Sequence, residues 1–466
     1  MALENTHYGP TRIGEMLRSC GSLFFIGIGG VSMASLAQIS LCNGFTVGGS
    51  DRAPGALVSR LEQAGVTVYT EHRAEHIQGY DAVVYTGAIA EDNPEYREAI
   101  SRGIPVISRA DYLGYLMMRY RQRIGIAGMH GKSTATAMCA HVLMKTADPT
   151  VLCGAELCGL SGTTYRIGEA KDHFVFEACE YMDSFLDFSP TLAVVLNIDL
   201  DHVDYFRDIS QVRRSFLKYA QRTGEGGAVL YNADDAECAL AMASFTGKKI
   251  TFGRSEHADY RATDIALTSA GATFDLLFRG ERLCRVSVPV HGMHSVYNAL
   301  AAVSAAIISG IAPEAAASSL ADFCGAGRRM EYRGRLNGAA VYDDYGHHPA
   351  EIRATLSAAR SMGFDRILCA FQPHTYSRTA GLLDDFSKAF ADADLVFLSD
   401  IYAAREQNIY GVSSDLLAGR IGEKACSCHG FSALAKEISN RARVGDLVVI
   451  MGAGDIYKTF EYLDLK

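Results

Sequence analysis

The sequence predicts an α/β protein built from three domains, and three observations support this. Its 466 residues exceed what a single ordinary hydrophobic core can organise. The hydrophobic content of 48% and the charged content of 21% match a folded globular protein. Strands precede helices in three separate runs, and such alternation is typical of parallel sheets. We place the domains at residues 1–120, 121–327 and 328–466.

The first run contains a glycine-rich turn after its opening strand. Strands are predicted at residues 22–28, 45–47, 82–85 and 105–107, with a helical pattern after Gly29 and Gly30. The turn approaches a dinucleotide-binding fingerprint, but Ser32 stands where the third glycine is expected. Asp51 ends the second strand, where an acidic side chain commonly binds a ribose. The pattern fits an NAD enzyme, a tight packing turn or a diphosphate-bearing substrate. We favour the last because a separate nucleotide motif follows.

The second run opens with the most informative segment, a short phosphate-binding loop. The strand at residues 124–127 leads into Gly128, Gly131, Lys132, Ser133 and Thr134, and a helical pattern follows. Backbone N–H groups at a helix N-terminus can bind phosphate, a lysine can neutralise it, and a hydroxyl can bind Mg²⁺. The loop is shorter than the usual P-loop, yet its flanking strand and helix predict binding of ATP or GTP. Further elements are predicted as strands at 174–177, 192–196 and 228–231, a hairpin-like stretch at 264–290 and a helix at 297–310.

Acidic clusters follow two of these strands. Glu180 comes after the strand at 174–177, and the strand at 192–196 is followed by Asp199, Asp201, His202 and Asp204. Open α/β sheets bind ligands at the carboxyl ends of their strands, and Mg²⁺ prefers oxygen ligands. We therefore predict that Glu180 and His202 bind metal, while the three aspartates are either ligands or solvated charges.

The third run places two polar loops after strands. Strands are predicted at 339–343, 366–371, 395–398 and 447–451. The first is followed by Tyr345, His347 and His348, and the second by His374 and Arg378. We expect these two strands to be neighbours, so that their loops form one wall of a site. A zinc site made from His347, His348 and His374 is an alternative. Arg329, at the second domain boundary, either reaches a γ-phosphate or belongs to a solvated linker.

Composition argues against several classes of function. A net charge of −9 disfavours broad binding of nucleic acid or anionic membranes. The N-terminus has no signal-peptide pattern, and glycines interrupt the apolar stretch at 23–41, so we expect no membrane insertion. The twelve cysteines lack zinc-ribbon spacing. We expect buried, reduced thiols in a cytoplasmic protein without a nucleic-acid partner.

Ten motifs, in this order along the whole chain, resemble the Mur ligase family. They are IGIGGVSM, TGAIAEDNPE, GMHGKST, EACE, NIDLDHVDYF, HGMHSVYNA, GRRMEYRG, DDYGHHP, FQPHTYSRT and MGAGDIYK. The resemblance implies an N-terminal Rossmann-like domain for the UDP-substrate, a central P-loop ATPase domain and a C-terminal Rossmann-like domain. Other members carry a carbamylated lysine near residues 214–217, where this chain has none. That absence and the FQPH loop resemble the alanine-adding branch.

The resemblance implies a specific reaction and specific partners. ATP phosphorylates the lactyl carboxylate of UDP-N-acetylmuramate, and the amine of L-alanine attacks the resulting acyl phosphate. The products are UDP-N-acetylmuramoyl-L-alanine, ADP and phosphate, in peptidoglycan precursor synthesis. The alternative within the family is a recycling ligase that adds a preformed tripeptide to the same sugar nucleotide. The expected assembly is a monomer or a homodimer.

The family's functional residues transfer to matching positions of this chain as expectations. ATP is expected to contact Gly128, Met129, His130, Gly131, Lys132, Ser133, Thr134, His294, Asn298 and Arg329. Mg²⁺ is expected at Ser133 or Thr134 with Glu180, and a second Mg²⁺ at His202. L-alanine is expected beside Tyr345, His347 and Arg378, and the UDP moiety beside Gly29, Gly30, Ser32 and Asp51. The residues expected to act in catalysis are Lys132, Glu180, His202, Arg329, His347 and Arg378.

Overall fold

The computed structural model describes residues 3–53, 55–160, 163–202, 205–268, 270–404 and 406–466. It contains three separate sheets, which succeed one another along the chain. Parallel pairing dominates all three, so the predicted α/β class is confirmed. The exact limits of the three domains stay a prediction.

The first sheet is parallel throughout and has five strands in the order β3-β2-β1-β4-β5. Its strands are β1 (Ser22–Ile26), β2 (Thr46–Ser50), β3 (Thr67–Tyr69), β4 (Ala82–Tyr85) and β5 (Val106–Ser108). Its helices are α1 (Gly9–Met16), α2 (Val31–Cys42), α3 (Ala56–Gln63), α4 (Pro94–Ser101) and α5 (Arg109–Met117). Because β1 lies in the middle, the glycine turn after it opens at the carboxyl edge of the sheet.

The central sheet has ten strands in the order β15-β14-β13-β12-β11-β10-β6-β9-β7-β8. The strands are β6 (Gln122–Ala127), β7 (Thr150–Leu152), β8 (Tyr165–Arg166), β9 (His173–Glu177), β10 (Leu192–Val195), β11 (Ala228–Asn232), β12 (Lys248–Gly253), β13 (Tyr260–Thr268), β14 (Gly271–Phe278) and β15 (Glu281–Val288). The helices are α6 (Lys132–Thr146), α7 (Ile209–Gln221), α8 (Ala236–Met242), α9 (Met293–Ile308) and α10 (Pro313–Ser319). The predicted hairpin is in fact three antiparallel strands, β13 to β15, because a second tight turn follows β14.

The third sheet has six strands in the order β16-β17-β21-β18-β19-β20. The strands are β16 (Glu331–Leu336), β17 (Ala339–Asp344), β18 (Arg366–Phe371), β19 (Leu395–Leu398), β20 (Ala425–Ser427) and β21 (Asp446–Met451). The helices are α11 (Pro349–Ser361), α12 (Tyr376–Gly381), α13 (Leu383–Ala389), α14 (Ser414–Ile421) and α15 (Phe431–Arg441). The expectation that β17 and β18 are neighbours is wrong, because the last strand, β21, pairs with both and separates them.

The first two sheets are joined by a continuous apolar core. It runs from Ile13 and Phe25 of the first unit to Phe176 and Tyr219 of the second. At this junction Gly114 of α5 lies so close to the chain that an added Cβ would be 2.1 Å from the carbonyl oxygen of Asp187. A larger residue there would force the two units apart, since packed interiors cannot absorb such an overlap.

Two cysteines depart from the prediction of reduced thiols. Cys158 and Cys324 form a disulfide across 166 residues, with their Cα atoms 5.5 Å apart. The prediction is therefore wrong for this pair, because the segment after β7 and the segment after α10 meet although they are distant in sequence. Cys42 and Cys426 also differ from it, since both are exposed.

In the described parts of the chain, no helix combines the length and the apolar character needed to cross a membrane.

Candidate active site

The phosphate-binding loop lies at the centre of the middle sheet. It follows β6, which pairs with β9 on one side and β10 on the other, so the acidic loops after those strands flank it. Gly131 takes a left-handed conformation, with φ of 81°, and caps α6. An added Cβ on Gly131 would lie 2.7 Å from Oδ1 of Asn298 on α9. Only glycine suits this position, because both the conformation and the close approach exclude a side chain.

Lys132 is held inside the loop and faces a buried carboxylate. Its Nζ donates to the carbonyl oxygens of Gly128 at 2.7 Å and Met129 at 3.2 Å. It also lies 2.9 Å from Oε2 of Glu180, whose side chain is only 1% exposed. Burial opposes the charge of the lysine, but the Glu180 carboxylate outweighs it and raises the pKa of Lys132. The lysine is therefore a permanent cation at neutral pH.

His202 completes a three-residue cluster with Lys132 and Glu180. Its Nε2 lies 3.1 Å from Oε1 of Glu180. Its backbone has a φ of 51°, and its N–H donates to Oδ1 of Asp201 at 2.7 Å. Burial tends to raise the pKa of Glu180, but Lys132 and His202 together lower it. The ionised, buried carboxylate is the kind of oxygen ligand that Mg²⁺ binds, so the cluster fits that ion.

Two cavities meet at the loop. One, of about 400 Å³, is lined by Thr134, His294, Asn298 and Arg329. The other, of about 660 Å³, is lined by Lys132, Ser133, Glu180, His202, Tyr345 and His347. Gly131, Arg329 and Glu351 line both. The structure thus separates the two candidate hydroxyls, and only Ser133 shares a cavity with the acidic cluster.

His294 is electrically neutral in the smaller cavity. Burial, reinforced by the nearby Arg329 guanidinium, lowers the pKa of His294 to about 4. At neutral pH its ring can therefore donate one hydrogen bond and accept another without adding charge. Such a ring, with Asn298 on the next turn of α9, suits a polar, uncharged heterocycle.

Arg378 reaches the central domain from the C-terminal one. Its Nε lies 2.9 Å from Oδ1 of Asp201, and the side chains are 9% and 5% exposed. Its Nη1 lies 3.1 Å from Nδ1 of His374. The ring of His347 is 5.8 Å from that of His374, and Tyr345 is 5.8 Å from His347. Tyr345, His347 and Arg378 are therefore brought together, with Arg378 already paired to a carboxylate.

Glu351 is a site residue that the sequence analysis missed. Its Oε2 accepts the backbone N–H groups of His347 at 2.9 Å and His348 at 3.2 Å. Its Oε1 lies 3.6 Å from Nδ1 of His130 and 3.8 Å from Arg329. The spacing signal was present, because a glutamate three residues after a helix cap is typical of a capping box.

Other predicted residues lie elsewhere or have different partners. Asp51 accepts the N–H of Gly29 at 2.9 Å, and Ser32 accepts from Arg109 at 3.2 Å, so the first glycine turn is tied internally. Neither Gly29 nor Gly30 lines the two cavities described above. The suggested histidine trio is not gathered, because the ring of His348 turns to His130, 4.6 Å away. Asp204 lies outside the described residues.

Comparison with known proteins decides the family. The Mur ligase family catalytic domain matches residues 23–121, the Mur ligase middle domain residues 126–306, and the Mur ligase glutamate ligase domain residues 328–454. The chain belongs to the Mur ligase family. Two curated members are named UDP-N-acetylmuramate–L-alanine ligase. The one from Acetivibrio thermocellus is 45% identical over 94% of each chain. The one from Caldanaerobacter subterraneus subsp. tengcongensis is 42% identical over 94% of this chain and 96% of its own.

Solved structures of Mur ligases share the whole architecture. The UDP-N-acetylmuramate-alanine ligase MurC of Thermotoga maritima has a TM-score of 0.79 at 26% identity, covering 95% of this chain and 98% of its own. The murein peptide ligase of Psychrobacter arcticus has a TM-score of 0.73 at 25% identity, covering 94% and 97%. The predicted three-part Mur ligase architecture is therefore confirmed.

Proposed function

We propose that this chain is an ATP-dependent ligase that joins L-alanine to the lactyl carboxylate of UDP-N-acetylmuramate. The products are UDP-N-acetylmuramoyl-L-alanine, ADP and phosphate, and the first of these is a precursor of peptidoglycan. The relatives that are 45% and 42% identical are named UDP-N-acetylmuramate–L-alanine ligase, which supports the two substrates and the joining reaction. ATP, a free amino acid and a sugar nucleotide meet in the cytoplasm, and we place the enzyme there.

One observation supports the proposal: side chains suited to binding phosphate and other anions, contributed by two domains, line a single cavity. Lys132, Glu180 and His202 come from the central domain, and Tyr345 and His347 from the C-terminal one. Arg378 is joined to the same wall through Asp201. A reaction between an acyl phosphate and an amine requires both reactants at one point, and this arrangement supplies it.

The chemistry follows from the poor reactivity of a carboxylate toward an amine at neutral pH. Transfer of the γ-phosphoryl group of ATP to a carboxylate oxygen gives an acyl phosphate and releases ADP. The amine nitrogen then forms a bond to the acyl carbon, and the C–O bond to phosphate breaks. Lys132 and Arg329 are suited to the charge on the moving phosphoryl group. Mg²⁺, bound at Glu180 and Ser133 with a second ion at His202, would supply further charge neutralisation.

The amino acid carboxylate is proposed to bind at Arg378. A guanidinium offers two parallel N–H donors, which match a carboxylate. Asp201 uses the Nε side of this guanidinium at 2.9 Å, and His374 lies 3.1 Å from Nη1. L-alanine is therefore proposed to bind at the Nη edge of the guanidinium, beside an ion pair that holds Arg378 in position.

A second candidate is the recycling ligase that adds a preformed tripeptide. The TM-score of 0.73 to the murein peptide ligase supports it, although the two curated relatives described above are named as alanine ligases. Phosphate release from ATP, Mg²⁺ and UDP-N-acetylmuramate, measured with each acceptor separately, distinguishes the two. Release with L-alanine, and product heavier by one alanine residue, supports the proposal. Phosphate release with the tripeptide but not with L-alanine would assign the chain as the recycling ligase. If neither acceptor supports phosphate release, both candidate functions are refuted.

A further inference from the structure

Three side chains from three loops converge at a point separate from the cluster of Lys132, Glu180 and His202. They are His130 of the phosphate-binding loop, Asp199 after β10, and His348 at the start of α11. Each offers one ligand atom, and these atoms all lie within 4.8 Å of one another. Among the described residues, this is the one group of histidine, cysteine, aspartate and glutamate side chains with such spacing. Because His348 belongs to the C-terminal domain, the group bridges two domains.

Two ring nitrogens of the group are buried without hydrogen-bond partners. They are Nε2 of His130 and Nε2 of His348, and the latter residue is only 4% exposed. An unpaired buried polar atom is unfavourable, and such atoms are uncommon unless a ligand, an ion or water completes them. Nε2 of His130 lies 3.5 Å from Oδ2 of Asp199, too far for a good hydrogen bond.

We propose that His130, Asp199 and His348 form a binding site for Zn²⁺ or a chemically similar transition-metal ion. Two imidazoles and one carboxylate are the ligand set that Zn²⁺ accepts with one position open, whereas Mg²⁺ prefers oxygen ligands throughout. Glu351 lies beside the other ring nitrogen of His130, with its Oε1 3.6 Å from Nδ1. A carboxylate behind a histidine ligand orients the ring and presents Nε2 to the metal.

The site is distinct from the proposed magnesium positions. His130 and Asp199 line the smaller cavity, while Glu180 and His202 line the larger one. An ion at the new site stands at the border of the smaller cavity and ties the phosphate-binding loop to α11. We therefore expect Zn²⁺ to hinder nucleotide binding.

Metal binding competes with the capping of α11. Nδ1 of His348 accepts the backbone N–H of Ala350 at 3.3 Å. A zinc ion on Nε2 requires the ring proton on Nδ1, so this long hydrogen bond is lost when metal binds. The competition predicts exchangeable, reversible zinc binding rather than a permanent structural ion.

The test is zinc titration of the metal-free full chain against a chromophoric zinc chelator, without ATP or Mg²⁺. Wild type is compared with Asp199→Asn, His348→Gln and the control His257→Gln, which changes an exposed histidine that lines neither cavity. We expect one equivalent whose affinity falls about tenfold or more in the first two variants and is unchanged in the control. Asp199, which is half exposed, provides a variant that leaves packing intact.

Equal zinc stoichiometry and affinity in wild type, Asp199→Asn and His348→Gln would overturn the proposal. Zinc bound at the exposed His429, whose Nδ1 is 2.6 Å from Asp400, would give that result. A second readout is the visible spectrum of the Co²⁺-loaded protein, where loss of four-coordinate bands in both variants supports the site. Neither measurement uses ligase activity, so failure of the zinc-site proposal can be distinguished from failure of the proposed function.

Discussion

The ion pair between Asp201 and Arg378 offers a quantitative test of how the C-terminal wall is positioned. The perturbation is Asp201→Asn, which keeps the shape of the side chain and removes its charge. The pair is 2.9 Å long and almost fully buried, so the guanidinium loses its main charged partner. A hydrogen bond to a charged group contributes about 1.5–3 kcal/mol, so we expect kcat/KM for L-alanine to decrease by about 10- to 150-fold.

The assay is phosphate release at varied L-alanine, with ATP and sugar nucleotide saturating. The set comprises Asp201→Asn, Arg378→Gln and the double variant, because coupling is measured only by the full cycle. The matched control is Asp446→Asn, which breaks a similar pair with Arg366 away from the cavities. We expect the control to retain its kcat/KM and the cycle to show coupling of about 1.5–3 kcal/mol. Additivity within about 0.5 kcal/mol would refute the reasoning.

Three further predictions address the other site residues. Lys132→Met should slow phosphate release by a factor of about 100 or more, because it removes the cation and leaves the buried Glu180 carboxylate without its lysine partner; release near the wild-type rate would contradict the assigned role. Glu351→Gln should lower kcat about tenfold and leave the circular dichroism spectrum unchanged, because it weakens the charge contacts with His130 and Arg329. A tenfold decrease corresponds to a loss of about 1.4 kcal/mol of transition-state stabilisation. His294 has a pKa of about 4 when folded and an ordinary value near 6.5 when unfolded, so the unfolded state binds the proton first on acidification. The urea midpoint of wild type should therefore fall more between pH 7 and pH 5 than that of His294→Asn, and parallel falls would contradict the burial of a neutral ring.

The sequence predicts strands well where they are buried and apolar. Ala82–Tyr85, Arg366–Phe371 and Leu395–Leu398 have the predicted limits, because each is a run of buried apolar residues, apart from the partly exposed first residue of the last two. The strands Lys248–Gly253 and Glu331–Leu336 were missed. The first begins with two exposed lysines, and the second alternates charged residues at a half-exposed sheet edge. Strands that rely on their neighbours rather than on their own pattern leave little trace in the sequence.

The site could be predicted in its parts but not in its connections. Lys132 and Glu180 follow adjacent strands, so strand order and loop chemistry were enough to bring them together. Asp201 and Arg378 are 177 residues apart, and nothing local indicates that they pair. The position of β21 between β17 and β18 is equally hidden, because chain order does not reveal where a late strand inserts.

The most direct test of the account follows the oxygen atoms of the substrate carboxylate. UDP-N-acetylmuramate labelled with ¹⁸O in its lactyl carboxylate is incubated with ATP, Mg²⁺ and L-alanine, and the products are analysed by mass spectrometry. Activation as an acyl phosphate predicts one labelled oxygen in each inorganic phosphate released with the ligated product, and none in the nucleotide. Label in AMP, or ligation with unlabelled phosphate, would contradict the proposed reaction.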